Sequence, residues 1–300
     1  MSSSSELATL FSDLTPLPQE DGPHPICAIQ YPQAFSETMG YFRALLKAEE
    51  VSERGLELTS LVIDTNPANY TAWFWRRKCL EATNADLGAE LEYTAEVGGT
   101  NPKNYQIWYH RRSLLTLLPT TSTTYAAELS YVSTVLLDDS KNYHAWSHRQ
   151  FLVSTFGAYD DEKRYAKAMI ERDGRNNSAW NQLYFCCEKS TQEEGELSFA
   201  LEQAGKDPHN ESPYRFIVGW INLLRSSPSS AGGVAAGGGG GGGGKAEDAC
   251  REAGTVPALA CLVDLLVGRG EREEAREVCK RLEGMDKIRE KFWRYKAEKL

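Results

Sequence analysis

Two lysines, two tyrosines and a histidine stand in matching phase along this chain of 300 residues. Lys103 and Tyr105 open the stretch PKNYQIWYHRR; Lys141, Tyr143 and His144 open the next, KNYHAWSHRQ. Each lysine stands two residues after Asn101 or Asp139, residue types suited to cap a helix N-terminus. The spacing predicts both ammonium groups in first turns, where free N–H groups already favour anions. Tyrosine hydroxyls and an imidazole within one turn add hydrogen-bond donors. Such a cluster could bind an anion, and fixed positive charge aimed at a leaving group that gains negative charge lowers the barrier to its departure. A lysine near a helix start is ordinarily just solvated. The residues alone leave both readings open.

The rest of the composition narrows the classes. A net charge of -9 and a pI near 5.2 argue against a general nucleic-acid binder, so an anionic ligand must meet a local basic cluster. No apolar run approaches the ~20 residues that span a bilayer, and the start MSSSSELATLF lacks the regions of a signal peptide. The expectation is a soluble, cytoplasmic protein without a membrane span. His24, His110, His144, His148 and His209 never pair with Cys or carboxylate at a metal-binding spacing, and the seven cysteines include no CxxC. The expectation is that this chain holds no catalytic metal and that its cysteines are reduced, mostly buried thiols.

The elements that position these residues are repeats. NYTAWFWRR, NYQIWYHRR, NYHAWSHRQ and NNSAWNQLY carry anchors at Trp73, Trp108, Trp146 and Trp180, spaced by 35, 38 and 34 residues. A further 34 lands on Tyr214, a fifth copy. Seven residues before each anchor stand Asn66, Asn101, Asp139, Asp173 and Asp207, read as N-caps, with Pro67, Pro102 and Pro208 at first helical positions. Each anchor is thus expected two turns into a helix. Segments such as SERGLELTSLVIDT supply a second helix per copy, with apolar positions at three-to-four spacing. Helix pairs of about 35 residues cannot bury an apolar face alone and must stack. The fold class is all-α: a right-handed superhelix of stacked antiparallel helix hairpins over 36–225. Residues 1–35, dense in proline, read as an extended arm. Residues 226–248 read as a low-complexity, Gly-rich surface insertion, and 249–300 as closing helices. Arg76, Arg77, Arg111, Arg112 and Arg149 recur in the full copies and read as interhelical ion-pair partners, and Lys163 in DDEKRYAK as a solvated cation.

A tetratricopeptide array has a similar period. Here, though, Asn-Tyr is followed by Trp three residues after the Tyr, then by Arg, and that pattern resembles the protein prenyltransferase α-subunit repeat. The resemblance runs from about Ile26 through Arg225 and returns in DKIREKFWRYKAEKL, which is similar to the family's closing helix. PKNYQIWYHRR and KNYHAWSHRQ resemble the α subunit shared by farnesyltransferase and type I geranylgeranyltransferase. The fourth and fifth copies depart from the motif, with Asn177-Ser178 and Pro213-Tyr214, so no ligand contact carries over to them.

The resemblance implies a helical scaffold that is inactive without a catalytic β subunit, zinc held by that partner, and Mg2+ in the farnesyl form. It implies transfer of an isoprenoid from its diphosphate to the cysteine of a CaaX C-terminus. It places Lys103 and Tyr143 on the diphosphate, Lys141, Asn142, His144 and Tyr105 around the isoprenoid and its phosphates, and Gln106 on the peptide's terminal carboxylate. The α subunit of the Rab geranylgeranyltransferase and a non-catalytic helical-repeat adaptor remain the alternatives.

Overall fold

The structure, a computed structural model, describes residues 4–24, 26–27, 29–119, 121–191, 193–226 and 242–300, and every regular element among them is helical. They form two units, Met1–Arg149 and Gln150–Leu300. In the first, α1 (Ser4–Leu10) and α2 (Gln33–Lys47) precede the pairs α3 (Glu53–Thr65) with α4 (Tyr70–Thr83) and α5 (Leu87–Thr100) with α6 (Tyr105–Leu117). Next come α7 (Ser122–Asp138) and α8 (Tyr143–Phe156), whose second half belongs to the other unit. There follow α9 (Tyr159–Arg172), α10 (Asn177–Lys189), α11 (Glu194–Lys206), α12 (Glu211–Ser226), α13 (Gly242–Ala253), α14 (Val256–Arg269), α15 (Arg272–Met285) and α16 (Glu290–Lys299). The expected helix pairs are present.

Their starts differ from the expected ones. Asn66, Asn101, Asp139, Asp173 and Asp207 end the preceding helices as C-caps. The side chains of Asn66, Asp139, Asp173 and Asp207 accept from the backbone N–H two residues on, closing a short turn. The N-caps are the second asparagines: Asn69 accepts from Ala72 N–H, Asn104 from Gln106 N–H, Asn142 from His144 and Ala145 N–H, and Asn176 from Ser178 and Ala179 N–H. Both sets are good cap residue types, but the proline after the first set sits in the turn and only the second set leads straight into the helix. Each tryptophan therefore lies one turn in, and Lys103 and Lys141 precede their helices rather than starting them.

The tryptophans fasten these turns. The indole N–H donates six residues back, Trp73 to Pro67 O, Trp108 to Pro102 O, Trp146 to Ser140 O and Trp180 to Gly174 O, at 2.8–2.9 Å. Two of these carbonyls also accept the cap amide of the following repeat: Asn142 Nδ2 reaches Pro102 O at 3.1 Å and Asn210 Nδ2 reaches Gly174 O at 2.6 Å.

A buried ionic ladder joins successive pairs in the first unit. Arg76 grips Glu90 in bidentate fashion (2.6 and 2.7 Å), and His110 of the next repeat reaches the same carboxylate at 2.8 Å. Arg111 grips Glu128 in the same way (2.9 and 2.6 Å), joined by His148 at 2.8 Å. The third arginine nitrogen satisfies the preceding helix, at Leu56 O for Arg76 and Leu91 O for Arg111. The guanidinium faces lie 4.0 and 3.8 Å from the ring centroids of Tyr93 and Tyr131. Arg77 and Arg112 take other roles. Arg77 Nη1 lies 3.4 Å from His110 Nδ1, and Arg112 donates to Ser147 O at 3.2 Å. Since arginine only donates, His110 accepts at Nδ1 and carries its proton at Nε2, toward Glu90.

Three other expectations are corrected. Residues 1–35 are not wholly an extended arm: α1 forms before the first proline, and Leu7 and Phe11 bury against Tyr41 and α3, with Arg54 bridging Asp13 and Glu50. The insertion is shorter than expected, because Ser226 ends α12 and α13 begins at Gly242, where a Cβ would lie 2.4 Å from Leu197 Cδ2. Its remainder, 227–241, lies outside the described residues. Lys163 is buried, with Nζ donating to Thr191 O at 2.7 Å, because its position on α9 faces the pair partner α10. Of the cysteines, Cys27 is exposed and the other six are buried.

The ladder predicts acid sensitivity. Burial pushes the Glu128 carboxyl up, but His148 and Arg111 outweigh it and hold the pKa at about 2, below its ordinary 4.5. Burial lowers His110 and His148 below 6.5. In every case the unfolded chain binds protons more readily, so stability falls as pH drops below 6.5 and falls further below 4.5. Urea titrations at pH 7, 5.5 and 4 should show this, and Glu128→Gln should lower stability at pH 7 while flattening the acid limb.

Candidate functional site

The register set by the asparagine caps decides which side chains reach the surface. The cap points at backbone, the tryptophan four residues later points inward, and the tyrosine between them is left outside. Tyr105 and Tyr143, the first residues of α6 and α8, are 64% and 76% exposed. They line one cleft, open to solvent, with Trp108, Tyr109, Arg112, His144 and Ser147. The His144 ring stands edge-on to Tyr105 and Tyr143, at centroid distances of 5.9 and 5.6 Å. Partial burial lowers its pKa below 6.5, which favours the neutral ring. The cleft thus offers two phenols, an imidazole and a guanidinium, a set able to donate hydrogen bonds to an anion beside an aromatic wall.

The lysines lie in the turns ahead of these helices. Lys103, 74% exposed, pairs with Asp139 at 3.1 Å, while Asp139 also accepts from the Lys141 N–H at 3.2 Å. The Lys103 ammonium, followed by that N–H, holds the Asp139 carboxyl below its usual range. The two lysine-bearing turns are therefore tied together. Gln106 is half-buried and does not line the cleft. Asn142, expected near the isoprenoid, is buried, and both ends of its amide are engaged, in capping α8 and in binding Pro102 O. The structure thus brings Tyr105, Tyr143 and His144 together, sets Lys103 and Lys141 in adjoining turns, and gives Asn142 to the framework.

Tyr109 and Arg112 were missed as cleft residues. Their signal was available: Tyr105, Tyr109 and Arg112 follow i, i+4, i+7 spacing, one face of α6. The recurrence of the arginine doublet hid it, since one arginine of each pair is buried and the other is not. A second cleft in the other unit repeats the register, lined by Asn177, Trp180, Asn181, Tyr184, Ser212, Arg215, Phe216 and Gly219. There Asn177 and Glu211 replace the helix-start tyrosines.

Consecutive helix pairs, each capped by asparagine and anchored by an aromatic residue, define a helical-hairpin repeat protein. The sequence pattern of the protein prenyltransferase alpha subunit repeat matches residues 52–83, 87–118, 125–156 and 159–190. Over these four spans the chain is similar to protein prenyltransferase α subunits. It is 53% identical over 76 residues to the protein farnesyltransferase/geranylgeranyltransferase type-1 subunit alpha of Dictyostelium discoideum, an alignment covering 25% of this chain and 24% of that one. It is 51% identical over 82 residues to the protein of the same name from Solanum lycopersicum, covering 27% and 24%. These matches span about a quarter of the relatives' length. A chain in the structure of Candida albicans protein geranylgeranyltransferase-I complexed with GGPP superposes with a TM-score of 0.82 and 28% identity, over 96% of this chain and 97% of that one.

The placement of Asn142 yields a test. Asn142→Ala removes a helix cap and leaves Pro102 O with one donor fewer, and should cost about 1–3 kcal/mol. Asn142→Asp keeps the acceptor but loses the donor and should cost less. Denaturant midpoints of the two variants, compared with the unmodified chain, measure both terms.

Proposed function

We propose that this chain is the α subunit of a heterodimeric CaaX protein prenyltransferase of the farnesyltransferase/geranylgeranyltransferase type I kind, acting in the cytoplasm. The observation that carries the reading is the cleft between the starts of α6 and α8, with Tyr105, Tyr143 and His144 on its walls and the Lys103–Asp139 pair in the turns ahead of it. Because the cleft is open to solvent, an isoprenoid chain lying there would stay in water unless a second protein covered it. A β subunit would supply that cover. The type-1 names of the curated relatives, and the GGPP in the Candida albicans complex, support this over the Rab-specific enzyme and over an adaptor.

The reaction is attack of a CaaX cysteine thiolate on the isoprenoid carbon, with diphosphate leaving. Negative charge grows on the bridging oxygen as the bond breaks, and preorganised donors stabilise it most at that moment. Lys103 and Tyr143 take the diphosphate, with Lys141, His144 and Tyr105 around it and the isoprenoid, and Gln106 donates to the peptide's terminal carboxylate. Lys103 must exchange Asp139 for diphosphate, a move its exposed position permits. Zinc belongs to the partner and Mg2+ to the farnesyl form. Among the described residues no group of three or more His, Cys, Asp or Glu is placed to hold a metal ion. No described helix is long and apolar enough to cross a membrane.

Co-expression with a β subunit should give prenyl transfer to a CaaX peptide, and the purified chain alone should give none. Transfer by the chain alone would overturn the reading. In the complex, Lys103→Ala should slow the single-turnover step about tenfold to a hundredfold with peptide affinity nearly unchanged, as for loss of one charge-assisted hydrogen bond of about 1.5–3 kcal/mol. Lys103→Arg should recover part, and Lys206→Ala, at an exposed position on α11, should change nothing. An unchanged rate for Lys103→Ala returns that lysine to the solvated background.

A further inference from the structure

Helix α16 carries apolar side chains on two faces. Its inner face is fixed: Trp293 and Ala297, one turn apart, are buried, and Trp293 Nε1 donates to Asp286 Oδ2 at 2.9 Å. Arg289 Nε donates to the same oxygen at 2.6 Å, and Lys296 pairs with Asp264 at 2.7 Å. Its outer face is uncovered. Ile288, in the 3₁₀ turn Lys287–Arg289 that leads into the helix, is 98% exposed, Phe292 50% and Tyr295 58%. Their i, i+4, i+7 spacing makes one protruding ridge about 10 Å long. Met285, just ahead of it, is also exposed. The solvent side of a surface helix is ordinarily polar, and a contiguous apolar ridge there marks an interaction surface.

Charge indicates what covers it. From Met285 to Leu300 the sequence carries six basic and three acidic residues. Arg289, Arg294 and Lys296 are engaged by neighbouring carboxylates. Lys291 and Lys299 make no ion pair among the described residues. Lys291 adjoins Phe292 and stands one turn from Ile288, while Lys299 follows Tyr295 by one turn, its ammonium 5.7 Å from that ring. Apolar side chains flanked by unpaired ammonium groups on flexible stems match the layering of an anionic bilayer, where the ridge enters the acyl boundary and the lysines stay with the headgroups. A soft planar interface also accepts a convex ridge without a shaped groove. We propose that the outer face of α16 is a peripheral docking surface for an anionic lipid membrane. This inference stands independently of the prenyl-transfer reading.

Sedimentation with phosphatidylcholine vesicles, with and without 30% phosphatidylserine, tests it on the full chain with any subunit that co-purifies. Binding should require phosphatidylserine and weaken with salt. Lys291→Glu with Lys299→Glu should reduce it at least tenfold, since each lysine near such a surface contributes about fivefold. Ile288→Ser with Phe292→Ser should abolish it, and both double variants should keep the unmodified melting temperature. Equal binding to neutral vesicles, no binding at all, or variants that bind like the original would overturn the proposal. So would a ridge variant whose only defect is loss of the β subunit or of a self-associated species on gel filtration, because a protein would then be the occupant.

Discussion

Glu90 and Glu128 are carboxylates taken almost wholly out of water, and the first unit depends on how that cost is met. Each receives two hydrogen bonds from the arginine one repeat behind and one from the histidine of its own repeat. An isolated buried charge costs several kcal/mol, and only near-ideal geometry with the remaining lone pairs filled offsets it. The carboxylate therefore tolerates one position of the arginine and one of the histidine. A slide of either neighbouring helix by a single turn would strand the charge, so the ladder fixes the register of consecutive helix pairs more sharply than apolar contact, which is nondirectional.

That register reaches the cleft. Arg111, Glu128 and His148 hold α6, α7 and α8 together, and His148 lies one turn below His144 on α8. The cap and indole contacts then fix the turns themselves: Pro102 O accepts from Trp108 and from Asn142, and Lys103 spans to Asp139. Turns between helices are usually the mobile parts of a repeat protein. Here those that carry the lysines are tied on both sides, which is what a site needs if its donors are to stabilise charge without first reorganising.

Much of this was legible in the residues. The tryptophan period, the helix pairs and the stripe facing inward follow from types and spacings that packing obeys directly. The starts of the helices were misread by three residues because each turn contains two asparagine or aspartate residues of similar capping strength, and only the backbone geometry of the intervening proline or lysine tells them apart. The partners of the arginines were not legible at all. Glu90 follows Arg76 by 14 residues and Glu128 follows Arg111 by 17, since Glu128 lies deeper in α7 than Glu90 does in α5, so no fixed spacing links them. Lys163 looked solvated because its neighbours in sequence are charged, whereas its helix face points at α10. Tyr105, Tyr143 and His144 were found as a group because motif position fixes exposure. Asn142 was grouped with them from the same motif position, which also suits a cap, and the structure engages both ends of its amide in the framework.

The claim that the buried carboxylate fixes the register is tested most directly by a double-mutant cycle on Arg111→Leu and Glu128→Leu, read by equilibrium unfolding of the chain in urea at pH 7. Each single change leaves a buried polar group or charge uncompensated and should cost about 3–5 kcal/mol. The double variant, which removes both, should cost far less than the sum, with a coupling of at least about 2 kcal/mol. Costs that add to within about 0.5 kcal/mol would contradict the account, since the two residues would then stabilise the fold independently.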